Sequence, residues 1–145
     1  LLSGRSTVEQ ASIPSGSFAS YQAAFEADGR EVAGADASLI STTRGAEDRF
    51  VALLIQDVMG EMRDGRILVS ANVYNPGPRN AEILRVFVTL LDGSQHVVGY
   101  RVVTFDNIVM LDAGANLPLN IEVTPQVLEV TPEYLLYVEA RPAEE

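Results

Sequence analysis

The chain has 145 residues, of which 47% are hydrophobic and 21% charged, and its net charge at pH 7 is -10. This length and composition fit one globular domain with a sizeable core, and they exclude disorder of the whole chain. No apolar run reaches the roughly 18 residues that a membrane-spanning helix needs. We therefore expect no direct membrane insertion of this segment.

Several residue types that carry much of enzyme chemistry are scarce or missing. The chain has no cysteine, and all 10 of its basic residues are arginine, so lysine is absent too. Disulfides, thiolate nucleophiles, cysteine-ligated metals, Schiff bases and the lysine of a phosphate loop are therefore excluded. His96 is the one histidine, which excludes a metal site built from several histidines of one chain. We expect no cofactor.

The charge distribution argues against a nucleic-acid partner. The arginines are scattered, no two of them are adjacent, and 20 acidic residues outnumber them. A nucleic-acid binder needs a basic stripe that displaces counterions from phosphates, whereas this surface would repel phosphates. An anionic membrane surface would repel the chain for the same reason.

Residues 1–48 differ in composition from the rest of the chain. They are rich in Ala, Ser, Gly and Thr and poor in large aliphatic residues, which is typical of a leader or linker. One short helix is predicted over residues 17–28, with Ser17 as its N-cap and Gly29 as its stop. We expect the middle of this leader to dock on the following domain, and deletion of residues 1–15 to leave stability almost unchanged.

From residue 49 onward the apolar residues follow the two-residue period of β-strands. Residues 50–55 are apolar throughout and are predicted to be buried on both faces. A hairpin is predicted at Asp64-Gly65, after which the odd-numbered residues of 67–73 share one apolar face. The Asn-Pro-Gly-Pro run over residues 75–78 ends that strand.

The second half of the pattern predicts five further strands. The even-numbered residues of 84–90 are expected to share the core face, and Gly93 in the Asp-Gly-Ser turn is expected to supply a positive φ. Pro118 lacks a backbone donor, which places its strand at a sheet edge or a bulge. These strands are predicted over residues 82–91, 97–105, 108–111, 117–123 and 134–140.

Seven short strands joined by tight turns, without a crossover helix, predict an all-β antiparallel sandwich, with a small barrel as the alternative. We favour the sandwich because doubly apolar strands suit the centre of a sheet and alternating strands suit half-exposed faces. The predicted domain covers residues 49–141, and residues 142–145 are expected to be a frayed tail.

Three stretches resemble a group of bacterial envelope domains. Residues 67–77 read ILVSANVYNPG, residues 81–92 read AEILRVFVTLLD, and residues 111–121 read LDAGANLPLNI. They are similar to three segments of the FxLYD-type immunoglobulin-like domains: a strand followed by a turn, a strand that ends in Asp, and a Leu-x-x-Gly segment. The CARDB adhesion-related domains resemble these segments in a more general way. The resemblance implies an immunoglobulin-like sandwich that is extracytoplasmic, non-catalytic and often tethered to a membrane by a segment preceding residue 1.

The loop over residues 75–80 is the most distinctive local feature. Two prolines stiffen it, so it can present side chains to a partner with little ordering cost. The alternative is a plain strand connector. The predicted partner-contact residues are Asn75, Pro76, Gly77, Pro78, Arg79 and Asn80.

Other candidate groups favour ordinary structural roles. His96 follows a turn and has no second histidine, so we expect an exposed hairpin residue and not a proton carrier. Neither a Gly-x-Ser-x-Gly nor a phosphate-loop motif occurs, and we predict no catalytic and no metal-binding residue. The acidic residues near the predicted turns are Asp57, Glu61, Asp64, Asp92, Asp106 and Asp112.

These observations lead to one expected function and one alternative. We expect a non-catalytic immunoglobulin-like module of a bacterial envelope or secreted protein, acting as a spacer or by contact with another protein through a sheet edge or the 75–80 loop. The alternative is a calcium- or carbohydrate-binding module that uses loop carboxylates or exposed tyrosines. The tyrosines concerned are Tyr74, Tyr100, Tyr134 and Tyr137.

Overall fold

The computed structural model describes residues 8–11, 13, 18–21, 29, 49–126 and 132–144. These residues form six antiparallel strands in two three-stranded sheets, which confirms the predicted all-β sandwich. Sheet A has the strand order β1-β2-β5, and sheet B has the order β4-β3-β6. The strands are β1 Leu54–Arg63, β2 Arg66–Tyr74, β3 Ala81–Leu91, β4 Val97–Leu111, β5 Asn116–Val123 and β6 Glu133–Pro142.

Alternating aliphatic residues of the central strands form the core between the sheets. The odd-numbered residues of 67–73 on β2 are buried as predicted, and β5 contributes Leu119, Ile121 and Val123. From the other side β3 contributes Val86, Val88 and Leu90, each with no measurable exposure. Burying one such side chain is worth about 1.5–3 kcal/mol, so this shared layer holds the two sheets together.

A bulge in β3 changes which residues face the core. Leu84 is an extra residue between Ile83, which pairs with Ala140, and Arg85, which pairs with Glu139. The alternation therefore shifts, and Ile83 takes the core position that the sequence assigns to Leu84. The prediction that Leu84 shares the core face with Val86 is wrong for this reason.

The predicted strands 97–105 and 108–111 are one continuous strand. On β4, Thr104 pairs with Arg85 and Val109 with Ile83, so the intervening residues form an irregularity within the strand. Asp106 and Asn107 therefore mark a bulge and not a turn. This merger accounts for the difference between seven predicted and six observed strands.

The first strand lies at the edge of sheet A, which corrects the prediction for residues 50–55. β1 begins at Leu54, which is 49% exposed, and among the described strands it pairs with β2 alone. Asp57 has a positive φ of 54° at a register shift of this strand, and its carboxylate accepts a hydrogen bond from Asn72 Nδ2 at 3.1 Å. An apolar run can thus lie at an edge, because period alone carries no information about the strand's neighbours.

Two turn predictions had different outcomes. Asp64 and Gly65 both have positive φ and close a two-residue hairpin between Arg63 and Arg66, as the Asp-Gly pair predicts. In the next hairpin the positive φ belongs to Gln95, at 65°, and not to Gly93, so that expectation is wrong.

The predictions for Pro118, for the C-terminal tail and for the N-terminal helix had three different outcomes. Pro118 lies on β5, an edge strand of sheet A, as predicted. Within the tail predicted over 142–145, Pro142 belongs to β6 and the Ala143 amide donates to Asn80 O at 3.0 Å. Residues 18–21 of the helix predicted over 17–28 are not helical, and the rest of that prediction lies outside the described residues.

Candidate functional site

The loop over residues 75–80 is anchored from within by a buried asparagine. The Asn75 side chain is fully buried, and its Nδ2 donates to the carbonyl oxygens of Arg79 at 2.9 Å and Leu111 at 3.1 Å. Its Oδ1 accepts from the Gly77 amide at 3.0 Å. Asn75 therefore positions the loop and cannot itself contact a partner.

Hydrogen bonds tie the same loop to the turn between β4 and β5 and to the end of β6. Asn80 Oδ1 accepts from the Ala113 amide at 3.0 Å, and the Asn75 carbonyl accepts from the Gly114 amide at 2.9 Å. Pro76, Pro78 and Arg79 are exposed. A partner could therefore reach these three residues on a loop that needs little further ordering, and the predicted contact role rests on them.

His96 lies beside Asp92 in an exposed turn. Its Nδ1 is 3.2 Å from Asp92 Oδ2, and its side chain is 77% exposed. Asp92 Oδ1 accepts from the backbone amides of Ser94 and His96, and the His96 amide is the main cause that lowers the pKa of Asp92. The pair closes a turn through backbone hydrogen bonds, which is a structural role.

The acidic residues near the turns do not form a cation site in the part of the chain that the structure describes. No group of three His, Cys, Asp or Glu residues is placed to hold a metal ion among those residues. Asp57 is paired with Asn72, and Glu61 with Arg63. The hydrogen bond from Arg63 lowers the pKa of Glu61.

The four tyrosines are on three different surfaces. Tyr74 lies on the outer face of sheet A, beside the core residue Val73. Tyr100 and Tyr137 lie on the outer face of sheet B, whereas Tyr134 packs against the core beside Gly60. They therefore do not form a single stacking platform for a sugar.

The outer face of sheet B contains a buried ion pair and a buried aromatic side chain. Adjacent strands place Arg85 opposite Glu139 and Phe87 opposite Tyr137. Glu139 is fully buried and Phe87 is 3% exposed, although neither points into the sandwich core. A sheet face buried on its far side must be covered by another part of the chain.

Glu139 is held by a charged partner and by a backbone amide. Arg85 Nε donates to Glu139 Oε2 at 2.8 Å, and Arg85 Nη2 lies 2.6 Å from the same oxygen. The Ala11 amide donates to Glu139 Oε1 at 2.7 Å. The Arg85 guanidinium also lies 5.6 Å from the centre of the Phe87 ring. Both carboxylate oxygens thus have donors, as a buried charge requires.

Three hydrogen bonds to this face come from the N-terminal strap, which we define as residues 8–11 and 18–21. Besides Ala11, Ser20 Oγ accepts from Thr89 Oγ1 at 3.0 Å, and Glu9 Oε2 accepts from Tyr100 OH at 3.3 Å. Burial and, second, the Glu9 charge raise the pKa of Tyr100 to about 12. The contacts of Glu9 and Ala11 change the expectation that residues 1–15 are dispensable.

Sequence reasoning missed this face because the strap has no apolar periodicity. The sequence nevertheless contains one indication that this face is buried. Residues 86–91 read VFVTLL, an almost unbroken apolar run on a strand otherwise interpreted as alternating. Such a run indicates burial on both faces, and β3 is indeed buried on both.

Two further surface features are open to solvent. A groove of about 370 Å³ lies between β4 and β5 and includes Arg101, Val103 and Glu122 in its lining; His96 does not line it. β1 exposes Leu54, Met59 and Met62 along an edge that pairs with no other described strand. Among the described residues no helix has the length and hydropathy of a membrane span.

Comparison of the chain with family models, with curated proteins and with solved structures gave no match.

Proposed function

We propose that the chain is a non-catalytic immunoglobulin-like module that acts by contact with another protein, or as a spacer, in a bacterial envelope or secreted protein. The order of strand neighbours supports the immunoglobulin-like part of this proposal. β1-β2-β5 matches strands A, B and E of that fold, and β4-β3-β6 matches strands C′, C and F. The resemblance of residues 67–77, 81–92 and 111–121 to the FxLYD-type domains supports the envelope location.

The observation that carries the interaction proposal is the edge of β1. This strand has ten residues, and one of its edges is free of any other described strand. Met59 is 65% and Met62 46% exposed there. Unpaired backbone groups beside exposed apolar side chains suit the addition of an extended partner segment, in which backbone bonds supply affinity and side chains supply specificity.

The 75–80 loop is the second contact surface within the same proposal. Its exposed residues Pro76, Pro78 and Arg79 stand on a framework fixed by Asn75. A pre-ordered loop loses little entropy when it binds.

Site-specific photo-crosslinking in the producing cells tests the proposal. A photoreactive residue replaces Met59 on the edge of β1, Arg79 in the loop, or Asp106 on β4 as an exposed control. We expect one discrete protein adduct from Met59 or Arg79 and none from Asp106. Equal labelling from all three positions, or adducts from none, contradicts the interaction proposal.

The envelope location and the calcium-binding alternative are each tested by a separate experiment. Cell fractionation should recover the chain in the envelope or the medium, and a purely cytosolic protein contradicts that part of the proposal. Melting with calcium against chelator should give no shift. A rise of several degrees would favour the calcium-binding alternative.

A further inference from the structure

We propose that Arg101 and Pro118 close the free edge of β5 to strand addition, so that an extended partner of sheet A is directed to β1. Arg101 thereby determines which edge is used without touching the partner itself. The choice of β1 rests on the proposed function, whereas the closure of β5 stands on contacts of its own. In the part of the chain that the structure describes, β1 and β5 are the two outer strands of sheet A.

The register of sheet A shows which backbone groups face the free edge of β5. The two-residue hairpin pairs Arg63 with Arg66, and the flanking pair of such a hairpin exchanges its backbone hydrogen bonds. The even-numbered residues of β2 therefore bond to β1, and its odd-numbered residues bond to β5. Bonding alternates in the same way along β5, so residues 117, 119, 121 and 123 bond to β2, and residues 116, 118, 120 and 122 point to the free edge.

Two of these outward positions are unable to take full part in a new ladder. Pro118 has no amide hydrogen to donate. The Glu122 carbonyl oxygen accepts a hydrogen bond from Arg101 Nη1 and is therefore already engaged by a charged donor. Asn116 and Asn120 keep both backbone groups, but Pro118 separates them. No two successive outward positions of β5 thus offer both a donor and an acceptor.

Arg101 reaches this edge across the open side of the sandwich. It lies opposite the core residue Val88 in the register of β3 and β4, so its side chain leaves β4 on the core side of sheet B. From there its guanidinium extends to the Glu122 carbonyl on the other sheet. Inward-pointing charges on edge strands oppose edge pairing, because an incoming strand would bury the charge.

Shape alone does not close the β5 edge. The groove of about 370 Å³ between β4 and β5 lies beside it and leaves room for another chain. Leu68, Val103 and Ile121 are part of its lining, and burial of their apolar surface would favour a bound segment. The obstacle is therefore chemical: an engaged carbonyl, a missing amide and a guanidinium that an added strand would desolvate.

The β1 edge has neither obstacle between its bulge and its hairpin. There the odd-numbered residues bond to β2, so Gly60 and Met62 direct their backbone amides and carbonyls to the free edge. Neither residue is a proline, and they are successive outward positions. They provide the complete donor and acceptor sets that β5 lacks, and sheet A is thus open to an extended partner on one side.

Opening the β5 edge by substitution in the full chain tests this inference. Arg101→Thr frees the Glu122 carbonyl, and Pro118→Thr restores the missing amide with a residue that suits strands. We expect the double variant to self-associate at its new edge. Light scattering should give a larger apparent mass than for the parent, and amide hydrogen exchange at Asn120 should slow. Loss of an arginine makes the acidic chain more repulsive, so charge alone predicts the opposite result.

Two matched variants should keep the edge closed. Arg66→Thr removes the same charge and breaks the 2.9 Å ion pair with Glu122 Oε2, but it leaves the Glu122 carbonyl engaged by Arg101. Arg101→Lys retains a charged donor for that carbonyl. Both variants should have the apparent mass of the parent.

A folded double variant with the apparent mass of the parent would overturn the inference, and so would equal association of Arg66→Thr. Urea unfolding establishes that each variant is folded. If the double variant does not fold, Arg101→Thr alone provides the same comparison with Arg66→Thr. The Met59 crosslinks of the parent test the proposed function separately, because their absence would leave the result at the β5 edge unchanged.

Discussion

Arg85 and Glu139 face each other across β3 and β6, and they differ sharply in exposure: the arginine side chain is 30% exposed and the glutamate is fully buried. Three residues earlier on β3, Glu82 forms a second cross-strand pair with Arg141; this pair is more open to solvent, with side-chain exposures of 14% and 47%. The two pairs connect the same strands, so they separate the effect of burial from the effect of charge.

Glu139→Gln should destabilise the protein more than Glu82→Gln. Gln keeps one acceptor oxygen for Arg85 but removes the buried negative charge, and we expect a cost of about 2–3 kcal/mol, below the full value for a buried pair because Arg85 is partly exposed. Glu82→Gln breaks a pair at the surface and should cost less than about 1 kcal/mol. Urea unfolding measures both, and equal losses would show that Glu139 is not buried in solution.

The Ala11 amide should contribute to the same site. Ala11→Pro removes the donor to Glu139 Oε1 and should cost about 1–2 kcal/mol. Ala11→Gly keeps the amide and is the matched control. Deletion of residues 1–15 should lower the free energy of unfolding at least as much as Ala11→Pro. A deletion without any loss would contradict the docking of the strap.

Asn75→Asp should destabilise the 75–80 loop through one changed atom. The new carboxylate still accepts from the Gly77 amide, but it faces the carbonyl oxygens of Arg79 and Leu111 without a donor. We expect a loss of about 2–4 kcal/mol at pH 7. The loss should shrink at low pH because a protonated Asp can donate one hydrogen bond. Asn116→Asp, at an exposed position of β5, is the control and should be close to neutral.

Gly99→Ala should overpack the core. A Cβ at Gly99 would lie 2.6 Å from Leu90 Cδ1, and Leu90 is fully buried and cannot move aside. The expected cost is about 1–3 kcal/mol, and Leu90→Val should relieve part of it, so the double variant should lose less than the sum of the single losses. Gly93→Ala is the control: its Cβ would meet nothing within 4 Å and its φ is not positive, so stability should hardly change.

Tyr100 should make stability depend on pH in the alkaline range. Its pKa in the folded protein is about 12, raised first by burial and then by Glu9, against about 10 in an unfolded chain. The stabilisation is therefore complete below pH 10 and is lost as the pH rises from 10 to 12. Because the chain has no lysine, no ammonium side chain titrates in this window.

Ultraviolet titration of tyrosinate measures this effect. Tyr100→Phe should remove the step near pH 12 and reduce the alkaline loss of stability. The same step should move toward pH 10 in a variant whose strap is released, such as Glu139→Gln with Ala11→Pro. A Tyr100→Phe titration identical to that of the parent would contradict the assignment.

The sequence by itself determined the β-class, the alternating core of β2, the Asp64-Gly65 hairpin and the edge position of Pro118. Each of these depends on residues close together in the chain: side-chain period, the φ preference of a turn, or a missing amide. The core face of β3 was predicted correctly for the residues after the bulge but not for Leu84, because a single extra residue reverses the alternation there.

Only the tertiary structure decided that β1 is an edge strand, that Asn75 is buried, and that Ala11 meets Glu139. The spacing of apolar residues does not show which strands are neighbours in a sheet. An asparagine before a Pro-Gly turn also has the same local sequence whether its side chain faces water or backbone carbonyl groups. The Ala11–Glu139 contact joins residues 128 positions apart. A hydrogen bond at that separation depends on how two sheets and a strap pack, because the local sequence contains no period that relates its two ends.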